Sequence, residues 1–437
     1  MKIAVVGTGH VGLVTGVAFA SLGHRVVGTD ASAERIDLLK RGIPPFHEPG
    51  LLDLLRKGME AGKLLFSDSV GEAVEGAEVV MICVGRPPVG LGDRSLAAVE
   101  SAVRDLARHA AQGVVVVVKS TVPPGTTARI EEVIRRERPD LDFAIVSSPE
   151  FLREGHAIKD TLEPDRLVAG SDSERGLSVV RELYEPLLQP GRPLIETDPR
   201  SAELSKLASN AFLAIKISYA NALARLAELS GADVAEVTRI VGADARIGSA
   251  FLGAGLGFGG YCLPKDIVTL EQVADRLGYD FGLLREATRI NQEAIEAVAR
   301  KVEEAVWNLE GKRVAVLGLA FKAGTDDVRG APALALVRRL LSEGAEVVGW
   351  DPMAAEAAKQ EVPELQLVSE PSEAVSGAHC LVVCTEWPEI RTLDFDEVRS
   401  LMANPAVVDG RNHLDAARVR EAGLSYVSVG RGGETVT

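Results

Sequence analysis

The chain has 437 residues and a net charge of −15, with 46% hydrophobic and 25% charged residues. At roughly 150 residues per domain this length suggests two or three domains of ordinary globular composition. The negative balance excludes nucleic acid and anionic membrane as main partners, because each demands a basic surface.

Met1 and Lys2 lead straight into Ile3-Ala4-Val5-Val6, a strand rather than a leader. Further strands are expected at Arg25–Thr29, Val79–Val84, Val114–Lys119 and Phe143–Ser147, alternating with helical stretches. That alternation predicts a doubly wound parallel sheet over residues 1–200. Apolar runs such as Val79 to Val84 and Val114 to Val118 are too short to span a bilayer. From Ser201 to Ser230 no Gly or Pro occurs and apolar residues fall on nearly every face, so a long helix should be buried there. It would link two domains across a helical region, 201–300, and pack against a second subunit.

A second α/β block, 311–437, repeats the first. Ile3-Ala4-Val5-Val6-Gly7 matches Val314-Ala315-Val316-Leu317-Gly318, Asp30 matches Asp351, and Cys83 matches Cys384. The expected plan is therefore α/β, with two Rossmann-like doubly wound domains joined by a long central helix.

Gly7-Thr8-Gly9-His10-Val11-Gly12 is a G-x-G-x-x-G fingerprint that follows a strand and opens a helix. Gly7 permits the turn, Gly9 the approach of a pyrophosphate and Gly12 the packing of helix on strand. Asp30 ends the next strand, where a carboxylate accepts ribose hydroxyls and repels the extra phosphate of NADP. NAD is thus the expected cofactor. In the second repeat Ala320 and Ala323 replace Gly9 and Gly12 and the turn is longer, so no dinucleotide is expected there. Another nucleotide or a purely supporting role both remain open for it.

Between Gly248 and Cys262 six glycines alternate with Phe251, Leu252, Leu256, Phe258 and Tyr261, the pattern of an ordered loop approaching a ligand. Leu263-Pro264-Lys265-Asp266 then starts a helix with Pro264 in its first position. Cys262 would sit just before that N-terminus with Lys265 nearby, and both favour the thiolate. A nucleophile is the stronger reading, against the small buried hydrophobe that Cys83 exemplifies. Asp266 reads as an acid/base partner or a helix N-terminal acid. Lys206 and Asn210, at i and i+4 of the long helix, share a face and could donate to an oxygen gaining charge, or form a salt bridge and a backbone bond. Thr121 lies in a Ser-Thr-Val-Pro-Pro-Gly-Thr turn, and Glu150 and Glu154 flank Phe151, Leu152 and Arg153. Cys380 and Cys384 have metal-like spacing, but no second pair completes a zinc site.

At these residues the chain resembles the UDP-glucose dehydrogenase family, within the wider UDP-glucose/GDP-mannose dehydrogenase group. Pro45-Phe46-His47-Glu48-Pro49-Gly50-Leu51, the turn at Thr121, Pro149 to Gly155, Ser205 to Ala208 with Asn210, Gly259 to Asp266 and Gly318 to Lys322 carry the likeness. The resemblance covers nearly the whole chain. It implies oxidation of a nucleotide sugar, UDP-glucose, by two NAD in succession. It further implies a thiohemiacetal and then a thioester on Cys262. Cys83, Cys380 and Cys384, in strand-like runs, read as buried thiols of a reducing, cytoplasmic compartment, and a homodimer is the smallest assembly expected. Thr121, Glu150 and Glu154 would act near the reacting carbon or the hydrolytic water. Arg35, Thr121, Glu154, Lys265 and Arg329 are expected to join the fingerprint at the cofactor. Phe151, Leu152, Glu154, Lys206, Asn210, Phe251, Gly259, Lys322 and Arg411 are expected at the substrate, with Arg246 reaching it across a dimer interface. Arg86, Gly330 and the Val89–Ser95 loop depart from the family pattern. Rival readings are the same chemistry on GDP-mannose or a UDP-N-acetylhexosamine, a two-electron dehydrogenase of a small acid, and a non-catalytic NAD sensor. Neither of the last two needs an activated Cys262.

Overall fold

The structure, a computed structural model, describes residues 1–85 and 97–432; Arg86 and the Val89–Ser95 loop lie outside the described residues. The chain divides into two compact units, Met1–Ser209 and Asn210–Thr437.

The first unit is built on eight strands: β1 (Lys2–Val6), β2 (Arg25–Thr29), β3 (Leu64–Ser67), β4 (Val79–Ile82), β5 (Val114–Val118), β6 (Phe143–Ser147), β7 (Leu167–Gly170) and β8 (Leu194–Thr197). They lie in the order β3-β2-β1-β4-β5-β6-β7-β8. Pairing is parallel except at β6 and β7, which meet antiparallel at Ser147 and Gly170. The run Val114 to Val118 is apolar throughout because the sheet is covered on both faces. Val115 and Val117 enter one core cluster with Ile3, Val5 and Met81, while Val114, Val116 and Val118 enter another with Ala4, Val6 and Ile82. Each such valine contributes about 1.5–3 kcal/mol by leaving water.

The second unit carries β9 (Arg313–Leu317), β10 (Glu346–Trp350), β11 (Gln366–Leu367), β12 (Cys380–Val383), β13 (Ala406–Asp409) and β14 (Ser425–Ser428). This sheet is parallel throughout, in the order β11-β10-β9-β12-β13-β14. Its order repeats that of the first six strands, and the likeness extends to single bonds. Gly7 N–H donates to Thr29 O at 2.8 Å, and Gly318 N–H to Trp350 O at 2.8 Å. Cys83 N–H donates to Val6 O at 2.8 Å, and Cys384 N–H to Leu317 O at 2.9 Å. Gly7 and Gly318 have φ of 96° and 90°, a region that disfavours side chains.

The repeats part at the turn after the first strand. A helix opens at His10 directly behind the first turn, whereas the second turn runs on until the helix Pro332–Ser342. The carboxylate is kept but reassigned. Asp351 is buried and accepts from Leu319 N–H (2.7 Å), Ala320 N–H (3.0 Å), Met353 N–H (2.9 Å), Ala354 N–H (2.7 Å) and Trp387 Nε1–H (2.9 Å). Its acceptor capacity is spent inside the protein, so it has none left for a ribose.

The long helix spans Pro199–Ser230 and contains the boundary between the units. Asp198 starts it by accepting Ser201 N–H at 2.9 Å, with Pro199 in the first turn. Gly231, at φ 76°, ends it. Its expected all-round burial is not realised within one chain: Phe212, Tyr219 and Leu226 are 62%, 52% and 62% exposed. Spaced by seven, they line one face, which the described residues leave uncovered. No helix among the described residues is long and apolar enough to cross a membrane.

Replacing Asp351 with alanine leaves several buried N–H groups unsatisfied and is expected to cost about 3 kcal/mol. Chemical denaturation should show that loss, while NAD affinity, measured by titration calorimetry, stays unchanged.

Candidate active site

In the first unit the fingerprint glycines are required for distinct steric reasons. A Cβ on Gly7 would lie 2.7 Å from Cys83 O, and one on Gly12 1.8 Å from Gly7 O. A Cβ on Gly9 would meet nothing within 4 Å, so this glycine faces open space at the start of the helix His10–Ser21. A pyrophosphate fits such a cradle, where backbone amides and the helix dipole favour an anion. Val11 packs toward the core. Asp30 remains partly exposed and is bonded by Thr8 N–H (2.7 Å), Ser32 N–H (3.0 Å) and Arg35 Nη1 (2.9 Å). Burial opposes its ionisation, but these donors outweigh it and hold its carboxyl below the usual carboxylate range.

His10 stacks on Phe46 with centroids 4.4 Å apart, and its Nε2 lies 3.1 Å from Glu48 Oε2. Glu48 also accepts Gly155 N–H at 2.8 Å and Ala157 N–H at 2.7 Å. Burial alone would raise its pKa; the bonds from His10, Gly155 and Ala157 bring it below the ordinary value. Glu48 therefore ties the first turn of the cofactor helix to the turn that follows Glu154.

The stretch after β6 carries Glu150, buried, with Oε1 3.2 Å from Lys206 Nζ and Oε2 accepting Leu152 N–H at 2.7 Å. Lys206 Nζ also lies 5.3 Å from the Phe151 ring centroid, and Arg166 covers that ring at 3.9 Å. Glu154 and Thr121 are half-buried. Behind Thr121, Gly125 N–H, Thr127 N–H and Thr127 Oγ1 all donate to Glu203 at 2.6 Å. Burial pushes the Glu203 carboxyl above its ordinary pKa, against those three bonds. Glu203 stands one turn before Lys206 on the long helix, so it joins the Thr121 turn to the helix that presents Lys206. Neither Glu48 nor Glu203 was marked by sequence spacing. Their partners are distant in sequence, and a buried acid reads like any surface acid without them.

In the second unit the glycine loop is ordered by bonds that include Gly255 N–H to Asn221 Oδ1 (2.8 Å), Leu256 N–H to Gly410 O (2.7 Å) and Phe258 N–H to Asn291 Oδ1 (2.7 Å). Phe251 has a φ of 62°, uncommon for a side chain of its size. Gly259 has no room for a Cβ, which would lie 2.2 Å from Gly330 O. The loop delivers Cys262 as the first residue of the helix Cys262–Arg276, not as the residue before it, and Pro264 is third rather than first. The helix starts earlier because Tyr261 already has helical dihedrals. Cys262 is partly exposed, whereas Cys83, Cys380 and Cys384 are buried. Burial pushes each of those three thiols up to about 12. Asp266, fully buried, accepts Asn210 Nδ2–H at 2.6 Å and is ion-paired with Lys265.

Arg411 donates from Nε to Cys384 O at 2.8 Å and from Nη1 to Gly257 O at 2.9 Å, anchoring the glycine loop. Lys322 lies 5.5 Å from the Phe321 ring. Arg329 forks onto Asp327 and lies 4.4 Å from the Tyr261 ring. Arg246 is not drawn into this cluster: its side chain is 88% exposed and pairs with Asp244 at 2.5 Å. Among the described residues no three His, Cys, Asp or Glu side chains are grouped as a metal site needs.

The glycine cradle of the first unit is that of an NAD-dependent dehydrogenase, and the comparisons with known proteins give its class. Residues 1–188, 200–293 and 315–416 match the NAD binding, central and UDP binding domains of the UDP-glucose/GDP-mannose dehydrogenase family. The chain belongs to that family. It is 44% identical over 435 residues to a UDP-glucose 6-dehydrogenase of Rhizobium meliloti, covering 99% of this chain and 100% of that one. A UDP-glucose 6-dehydrogenase of Pseudomonas aeruginosa is 41% identical over 444 residues, covering 99% and 98%. A solved UDP-glucose dehydrogenase from Pyrobaculum islandicum superposes with a TM-score of 0.90 at 39% identity, covering 98% of this chain and 97% of that one. A UDP-D-ManNAc dehydrogenase from Pyrococcus horikoshii gives 0.88 at 31%, covering 100% of both.

Native protein treated briefly with iodoacetamide at pH 8 is expected to carry one label, on Cys262, and four labels after denaturation. Peptide mass spectrometry reads this directly; rapid native labelling of Cys83, Cys380 or Cys384 would contradict the burial described.

Proposed function

We propose that the chain oxidises the primary alcohol of UDP-glucose to the carboxylate, with one water and two NAD consumed per sugar. The observation that carries this reading is the placement of Cys262, part-exposed at a helix start, beside Asp266 with its Asn210 and Lys265 partners. Gly7, Gly9, His10, Val11, Gly12, Asp30 and Arg35 hold the cofactor, with Thr121, Glu154, Lys265 and Arg329 completing its surroundings. NAD supplies a hydride acceptor, used twice.

The protein's own groups do the rest. After the first oxidation the Cys262 thiolate adds to the aldehyde carbon, and the oxygen that gains charge accepts from Lys206 and Asn210. The second oxidation leaves a thioester, which water attacks, releasing the carboxylate and restoring the thiolate. Asp266 handles the proton of the reacting oxygen, and Thr121, Glu150 and Glu154 orient the water and take up its proton. Phe151, Leu152, Phe251, Gly259, Lys322 and Arg411 hold the nucleotide sugar. Arg411 does so largely through the loop, since two of its donors already hold backbone carbonyls.

The exposed seam of Phe212, Tyr219 and Leu226 supports a homodimer, in which Arg246 serves the sugar bound by the other copy. Such an enzyme works in the cytoplasm, where its free thiols stay reduced. The nucleotide-sugar choice rests on the relatives: those named for UDP-glucose reach 44% identity, against 31% for the UDP-D-ManNAc enzyme.

Purified protein is expected to form two NADH per UDP-glucose consumed, followed by absorbance against sugar loss. One NADH with free aldehyde released would eliminate the thioester route, and turnover only with UDP-N-acetylmannosamine would reassign the substrate. Cys262→Ser is expected to bind NAD normally while turnover falls about a thousandfold. Unchanged turnover would remove the nucleophile.

A further inference from the structure

Strand β5 runs directly into a lysine that the chemistry above does not use. Lys119 is only 6% exposed. It follows Val115 and Val117 in the alternation of the strand, so it stands on the face where they pack with Leu13, Val14 and Val17 of the helix His10–Ser21. Its ammonium donates to Tyr184 Oη at 3.4 Å and lies 5.6 Å from the centroid of that ring; the hydroxyl is shared with Ser148 Oγ at 2.7 Å. Among the described residues no acid is ion-paired with Lys119, whereas Lys206, buried as deeply, has Glu150 at 3.2 Å. An ammonium withdrawn from water without an acid beside it is costly, and its field is not cancelled on the spot. That field reaches the fingerprint through Cys83. Burial holds the Cys83 thiol up at about 12, against the opposing charge of Lys119. Cys83 in turn lies against the cradle: a Cβ on Gly12 would be 2.9 Å from Cys83 Cβ, and one on Gly7 2.7 Å from Cys83 O.

The strand order reverses between β1 and β4, and a dinucleotide lies across such a reversal with one half on each side. Asp30, at the end of β2, takes the adenosine half, which directs the nicotinamide half to the ends of β4 and β5, where Cys83 and Lys119 stand. We infer that Lys119 tunes the bound cofactor: its uncompensated positive charge favours NADH over NAD in the same cradle. The two forms differ at the ring by one positive charge, which the electron pair of the hydride cancels. A fixed cation repels the oxidised ring and exerts no such force on the neutral one, while its pull on the pyrophosphate is common to both. Burial keeps this interaction from being screened by salt. Each hydride transfer to NAD is thereby made more favourable, a gain used twice per sugar. This inference rests on the assignment of the first unit to NAD made above.

The test is calorimetric titration of NAD, and separately of NADH, into the full-length protein without nucleotide sugar. Lys119→Met is expected to lower the ratio of the NAD Kd to the NADH Kd about fivefold. Lys119→Arg, which keeps the charge, holds the wild-type ratio within about twofold. A lysine that serves packing alone would cost both forms equally, so an unchanged ratio in Lys119→Met overturns the inference while sparing the cofactor assignment. An equal fall in Lys119→Arg and Lys119→Met would assign the effect to shape rather than charge and overturn it too. Wild-type protein that binds neither form overturns both the cofactor assignment and the inference. Should Lys119→Met fail to fold, Lys119→Gln is expected to show the same fall of about fivefold, and a wild-type ratio there counts against the charge.

Discussion

A carboxylate without access to water, Asp266, is the constraint that ties the long helix to the helix that Cys262 begins. An isolated buried charge is costly, and this one is stabilised by Asn210 and Lys265. Those partners arrive from two helices: the long one, and the one that Cys262 begins. The same bonds that satisfy the acid therefore fix the amide of Asn210 and the ammonium of Lys265 near the start of the thiol-bearing helix. Across the first unit a parallel arrangement holds, with buried Glu150 paired to Lys206 and buried Glu203 joining the Thr121 turn to the same long helix. Acids excluded from water act as fixed points, and the partners they hold are groups that the proposed mechanism uses.

The two sheets show how one architecture is divided between two tasks. Both have the same strand order and the same bond from the glycine of the first turn to the end of the second strand. In the first, Asp30 keeps part of its surface exposed beside a helix that starts at once. In the second, Asp351 is bonded on every side and the helix starts late. Substitution at the glycines removes the cradle, and the lengthened turn that replaces it carries Phe321 and Arg329 against the glycine loop.

Much of this was legible in the sequence where the informative residues are contiguous. The valine run of β5, the fingerprint and the repeat at Gly318 depend on neighbours along the chain. The strands β3 and β8 are the sheet's edges and are partly exposed, so neither they nor the short β7 offer the unbroken apolar run that marks β4 and β5. The long helix begins at Pro199 rather than Ser201, because proline is tolerated in a first turn and Asp198 caps it. The bonds of Glu48 and Glu203 are not legible for another reason. Their meaning lies in partners far along the chain, and no local period encodes such a pairing.

The claim on which the mechanism turns is a sugar carbon bound covalently to sulfur. In a Glu150→Gln variant, hydrolysis should slow while capture continues, so acid-quenched protein incubated with UDP-glucose and NAD is the sample to analyse. Peptide mass spectrometry should then find the oxidised nucleotide sugar esterified to Cys262, at close to one per chain. A variant that turns over slowly yet shows Cys262 unmodified at every quench time would contradict the account.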